Sequence, residues 1–206
     1  MSARGREIPL HEFLRSRRSV RRFAPLPIPT ETIWRILETA NTAPSSHGTQ
    51  PWRFIVLPRG EGRLRLAEAM EDEFRADLRR DRTNEAEISK RIQISHSRLI
   101  EAPGLILLCA DTALADQYAD EKRKRAAYFM LIQSAAAAGM QLLLGAHAEG
   151  LGGVWICSPL FTQDAIREAL ALPPSWEAQA MYYLGDYAAT PRARTARPVQ
   201  DLVRWL

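Results

Sequence analysis

Lysine is nearly missing from this chain. Of its 28 basic residues only Lys90, Lys122 and Lys124 are lysines, and the remainder are arginines. A cation set of this kind suits oxyanions, because the planar guanidinium grips them through two parallel hydrogen bonds where an ammonium is a point charge. The net charge of +4 over 206 residues does not call for nucleic acid, and no zinc knuckle or aromatic RNA-binding motif accompanies it. Cysteine is scarce too. Cys109 and Cys157 both sit in apolar runs and read as reduced core residues of a cytoplasmic protein, which excludes a disulfide framework. Four histidines and two scattered cysteines make a metal site unsupported. G-x-S-x-G, H-E-x-x-H and the P-loop are all absent, so nothing supports a hydrolase. The opening residues, "MSARGREIPLHEF", contain no apolar signal segment.

What is present describes one globular domain over residues 1–206, with 46% hydrophobic and 25% charged residues. Pro9 opens a first helix with Leu10, Phe13 and Leu14 facing inward. Thr30 caps a second helix bearing Ile33, Leu37 and Ala40. Strands are expected at 53–57, 104–110, 150–157 and 180–187, and Thr162 caps a helix ending near Leu170. Between Glu61 and Glu101 the chain is highly charged with helical spacing, a solvated excursion that could close as a lid. The stretch 126–148, "AAYFMLIQSAAAAGMQLLLGAHA", carries no acid, lysine or arginine. Its length would span a bilayer, but its alanines and polar Gln133, Ser134, Gln141 and His147 suit a core or interface helix better. No membrane partner is expected. Interleaved helices and strands give an α+β or α/β class with one sheet.

Four segments could carry chemistry, each with a plainer reading beside it. "RRSVRRF" (17–23) could surround one phosphate with Arg17, Arg18, Arg21 and the Ser19 hydroxyl, or be a basic helix end favoured by the C-terminal dipole. "APSSHGTQPW" (43–52) offers neutral donors and acceptors from Ser45, Ser46, Thr49 and Gln50 between two stiffening prolines, suited to the polar edge of a planar heterocycle or to an ordinary capped turn. Its His47 could be a substrate ligand or a proton donor. The glycines of "GLGGVWICSP" (150–159) are not a dinucleotide fingerprint; they permit a tight turn and close approach of a ligand or another strand. "PRAR" places Arg192 and Arg194 on one side of an extended tail.

In this order, "RRSVR", "APSSHGTQPW", "GLGGVWI" and "LGDY…PRAR" resemble the nitroreductase superfamily of FMN-dependent oxidoreductases. The resemblance implies an α+β nitroreductase-like fold, with a mostly antiparallel or mixed sheet of four to five strands flanked by helices. It also implies an intertwined homodimer with FMN at the interface. By the same resemblance Arg17, Arg18, Ser19 and Arg21 would hold the FMN phosphate and ribityl chain, joined by Arg192 and Arg194. Pro44, Ser45, Ser46 and Gln50 would reach the ring from the second subunit, and the backbone at Cys157 and Ser158 would lie near its reactive nitrogen. The pattern departs at His47-Gly48, where many relatives carry Gly-Asn or a related pair.

A narrower likeness follows from "TAPSSHGTQPWRF", "RADLRRDR", "RLIEAPGLILL" and "LALPPSWEAQAMYYLGD". These resemble the FMN domain of the enzyme that matures the deazaflavin coenzyme F420. The implied reaction is reduction of dehydro-F420-0, with His47 and Arg79 toward the substrate and Arg75 and Arg80 as further anion ligands. Two other functions stay open: an NAD(P)H-dependent nitro- or quinone reductase, and a flavin- or deazaflavin-binding protein without turnover.

Overall fold

The computed structural model describes residues 9–191 and 195–206. Its frame is a four-stranded sheet of β1 (Trp52–Val56), β2 (Gly104–Asp111), β3 (Gly152–Ile156) and β4 (Trp176–Gly185). The strand order is β1-β2-β4-β3 and every neighbouring pair is antiparallel. Helices cover both faces: α1 (Pro9–Ser16), α2 (Thr30–Asn41), α3 (Glu61–Arg80), α4 (Glu85–Glu101), α5 (Glu121–Ala148) and α6 (Gln163–Ala169).

Side-chain alternation along the central strands sorts the core into two layers. Ile106, Leu108, Ala180, Tyr182 and Leu184 face α2 and α5, meeting Ile36, Ala138 and Leu142. Leu105, Leu107, Cys109, Met181 and Tyr183 face the other way, meeting Leu66, Met70, Leu99 and Ile166. The register slips once: Leu108 pairs with Ala180 but Cys109 with Ala178, which leaves Gln179 as a bulge. The extra residue puts Ala178 on the α3–α6 side with Met181.

Several local expectations are corrected. Thr30 is the first helical residue of α2, and Pro29 occupies the cap position, its backbone preset by the ring. Thr162 makes no capping bond to α6. On α1, Leu10 and Leu14 are exposed, and Phe13 alone of the three packs, stacking on the His147 ring at 4.7 Å. Cys157 is exposed, and only Cys109 is a core residue. The charge-free stretch belongs to α5, which starts earlier, at Glu121. Leu131, Ala135, Ala138, Leu142 and Ala146 recur at helical spacing and are buried, so α5 is a core helix on that side. Its other side leaves Phe129 and Met140 exposed.

The charged excursion is two helices. The chain breaks at residues 81–84, and the Asn84 side chain caps α4 by accepting from the Glu87 amide at 2.9 Å. Its base is core. Arg63 of α3 is 1% exposed, and its guanidinium donates to the carbonyls of Leu57 (2.6 Å), Ile100 (3.1 Å) and Ala102 (2.6 Å). One buried cation thus ties the start of α3 to the end of α4 and to the loop after β1.

Candidate functional site

The arginine segment lies along the β3 edge, held by isolated bridges. The Val20 amide donates to the Gly153 carbonyl at 3.0 Å, and the Ala24 amide to that of Asp186 at 3.0 Å. Ser19 bridges Gly153 in parallel and Phe23 bridges Tyr187 antiparallel. Val20 turns inward and is buried. The glycines make this possible: a Cβ on Gly152 would lie 2.8 Å from Val20, while Gly150, at φ +76°, closes the turn after α5. "GLGG" therefore serves both a turn and the close approach of another segment.

With Val20 inward, its neighbours face a cleft of about 850 Å³ lined by Arg17, Arg18, Ser19, Arg21, Arg22 and Arg98. Ala189, Thr190 and Pro191 complete the lining, and no carboxylate among the described residues takes part in it. Arg18 is held by the carbonyls of Arg15 and, at 2.9 Å, Arg17. Five guanidinium groups without an acid form a strongly positive concavity, whose natural occupant is an oxyanion. The sequence reading missed Arg98. Its one signal was its position next to buried Leu99 on α4, which aims it to the side of that helix.

The cleft continues. Arg98 also lines a chamber of about 290 Å³ with Ser95, Ile156, Tyr183 and Phe74. Burial pushes the Tyr183 hydroxyl up to about 12, against the opposing pull of Arg98 and Arg63. Ser95 and Phe74 are shared with a third cavity of about 420 Å³ that reaches Cys157 and Ser158. There the wall is apolar, with Met70, Leu78 and Ile92, and its charged members are Glu71, Asp77 and Asp81. Shared residues set the three spaces in a row, Arg98 between the first two and Phe74 and Ser95 between the last two, and this trough is cationic at the β3 edge and apolar at the α3 and α4 end.

The 43–52 loop lies elsewhere. It feeds β1, at the sheet edge opposite β3 and at the strand end opposite Gly153. The Ser46 amide donates to Ser134 Oγ on α5 at 3.0 Å, and that hydroxyl donates to the Met130 carbonyl at 2.7 Å. The Gln50 amide donates to Ser45 Oγ at 3.1 Å. His47 and Gln50 hold positive φ of 53° and 45°, an arrangement costing roughly 1 kcal/mol or more each. Pro44, Ser45, Ser46, His47 and Gln50 are thus not joined to the arginine trough within one chain.

The excursion's three candidate anion ligands are paired. Arg79 meets Glu85 at 2.8 Å, Arg75 meets Glu71 at 2.9 Å and Arg80 meets Asp77 at 3.0 Å. The Glu85 hydrogen bond raises the Arg79 pKa above its ordinary value. Arg192 and Arg194 lie outside the described residues.

The nitroreductase family model matches residues 14–186. The chain belongs to the nitroreductase family. A family relative from Bacillus subtilis (strain 168), named as the NAD(P)H nitroreductase YfhC, is 29% identical over 192 residues, covering 93% of this chain and 91% of its own. The crystal structure of a nitroreductase in complex with FMN from Desulfovibrio desulfuricans is 25% identical, with a TM-score of 0.73 over 96% of both chains. A BluB-like flavoprotein from Clostridium difficile 630 shares the fold, with a TM-score of 0.81 at 21% identity over 97% of this chain and 99% of that one.

Proposed function

We propose that this protein is an FMN-dependent oxidoreductase that takes electrons from NAD(P)H and passes them to an organic acceptor. The observation that carries the reading is a cleft lined by five arginines and by no carboxylate among the described residues, which shares Arg98 with the Tyr183 chamber, itself sharing Phe74 and Ser95 with the cavity at Cys157 and Ser158. The donor set fits FMN. Arg17, Arg18, Arg21 and Ser19 would hold its phosphate, and the backbone at Cys157 and Ser158 would flank its ring. When bound, FMN supplies two-electron redox chemistry at that ring. The chain's own part is to hold the phosphate, exclude water beneath α3 and α4, and offer hydrogen bonds to the ring's polar edge.

The protein is proposed to act as a cytoplasmic homodimer. Pro44, Ser45, Ser46 and Gln50 sit at the wrong edge of the sheet to reach their own trough, so a shared site needs them from the second copy. Phe129 and Met140 give α5 an exposed apolar face for that contact. His47, projecting from the same loop, would then meet the acceptor.

The acceptor we favour is uncharged. The apolar cavity has carboxylates at its wall and neither lysine nor arginine, its one basic side chain among the described residues being His96, and Arg79 is engaged by Glu85. Both features disfavour the phosphorylated dehydro-F420-0 of the narrower likeness, for which the relatives give no support. Purified protein should show a flavin absorption band and oxidise NADPH with an uncharged quinone or nitroaromatic. A colourless protein that takes up no FMN would refute the reading, and turnover confined to dehydro-F420-0 would restore the narrower one.

A further inference from the structure

The hairpin of α3 and α4 carries eight arginines, and most are spoken for. Arg65, Arg75, Arg79, Arg80 and Arg91 pair with carboxylates, and Arg63 is held by carbonyls. Of these eight, only Arg82 and Arg98 make neither an ion pair nor a side-chain hydrogen bond among the described residues. Arg82 sits in the solvent turn between the helices. Arg98 lines both the arginine cleft and the Tyr183 chamber. Its position follows from α4 itself, since Ile88, Ile92 and Leu99 bury one stripe of the helix and Arg98 flanks that stripe.

The other cleft arginines come from the 17–22 segment at the β3 edge, so Arg98 is the sole guanidinium the helical layer lends to the site. We propose that Arg98 is a further anion-binding residue, and that a phosphate bridging it to Arg17 or Arg21 clamps α4 against the N-terminal segment. Occupancy of the cleft would then steady the helices that roof the apolar cavity. Arg98 acts by direct charge-assisted bonds, and its fork geometry matters because the anion must be held from two sides. The inference rests on the phosphate-site reading above, and its test separates the two.

Amide hydrogen exchange across 86–100 should be measured with inorganic phosphate, FMN and riboflavin, alongside FMN binding by the wild type, Arg98→Ala and Arg98→Lys. Phosphate and FMN should slow exchange in α4, and riboflavin should not. Arg98→Ala should weaken FMN binding about tenfold and abolish the slowing; Arg98→Lys should restore part of both. Wild-type FMN affinity in Arg98→Ala, or α4 exchange indifferent to both phosphate and FMN, would overturn the proposal. Should FMN fail to bind while phosphate still slows α4 through Arg98, the flavin reading falls and the anion-binding role of Arg98 stands.

Discussion

A Cβ on Gly139 of α5 would lie 1.9 Å from the hydroxyl of Tyr182 on β4. The helix and sheet therefore meet at a position where only glycine fits. The hydroxyl is buried without a hydrogen-bond partner among the described residues, and its burial raises the Tyr182 pKa. In an open helix Gly→Ala stabilises by about 1 kcal/mol; here overpacking reverses the sign. Gly139→Ala should cost about 1–3 kcal/mol in urea unfolding. Tyr182→Phe alone should be neutral or stabilising, since the lost hydroxyl has no partner. In the double variant it should recover part of the loss, the ring carbon behind the hydroxyl being still only 2.9 Å away.

Arg63 holds the base of the helical hairpin. Burial pushes its pKa down to about 10, and its carbonyl partners are its compensation. Arg63→Met removes the donors and leaves those carbonyls shut from water. The expected loss is about 3 kcal/mol or more, which for a chain of this length lowers the melting temperature by roughly 6–12 °C. Calorimetry checks it.

Stability should fall in alkali. Burial lifts the Cys109 thiol from 9.0 to about 12 and the Tyr183 hydroxyl from 10.0 to about 12. Both groups favour the fold while protonated. At these two groups the unfolded chain holds fewer protons than the folded one between pH 9 and 12, so their contribution is complete below about pH 9 and drops as pH climbs toward 12, while the lowered Arg63 works the other way. Cys109 contributes up to about 4 kcal/mol of that drop. Urea midpoints at pH 8 and pH 11 should therefore differ markedly, and Cys109→Val should reduce the difference.

Changing Arg17 and Arg21 together to Ala removes charge-assisted bonds of roughly 1.5–3 kcal/mol each. FMN affinity should fall by about two orders of magnitude or more while the melting temperature of the flavin-free protein holds, since neither side chain is buried. Equilibrium dialysis with FMN decides it, and a double variant that purifies fully yellow would remove these residues from the site.

Period and punctuation made most elements legible. "RFIVL" and "GLILLCA" are apolar runs bounded by turns, and the structure puts strands within a residue of each. Thr162 looked like a cap, yet Thr162 Oγ1 points back to the Ser158 carbonyl at 3.5 Å instead. The break at residues 81–84 was hidden because charged helical spacing runs on both sides of it. Antiparallel pairing of β2 with β4 joins residues 65 to 80 positions apart, and no local signal encodes that. The same limit applies to the site. The "RRSVR" cluster announced a cationic surface by its composition, but Arg98 joins it in one cleft only through tertiary packing, and the pairing of Arg79 with Glu85 appears only once the hairpin forms.

The cleft gathers its walls from residues 17–22, from Arg98 and from 189–191. The arginines leave the ribosome early, long before Gly153 exists to hold Val20 or Thr190 to complete the lining. The cleft therefore cannot take shape until residues 189–191 have been made, and a chain cut before Thr190 should hold phosphate less well than one that includes it.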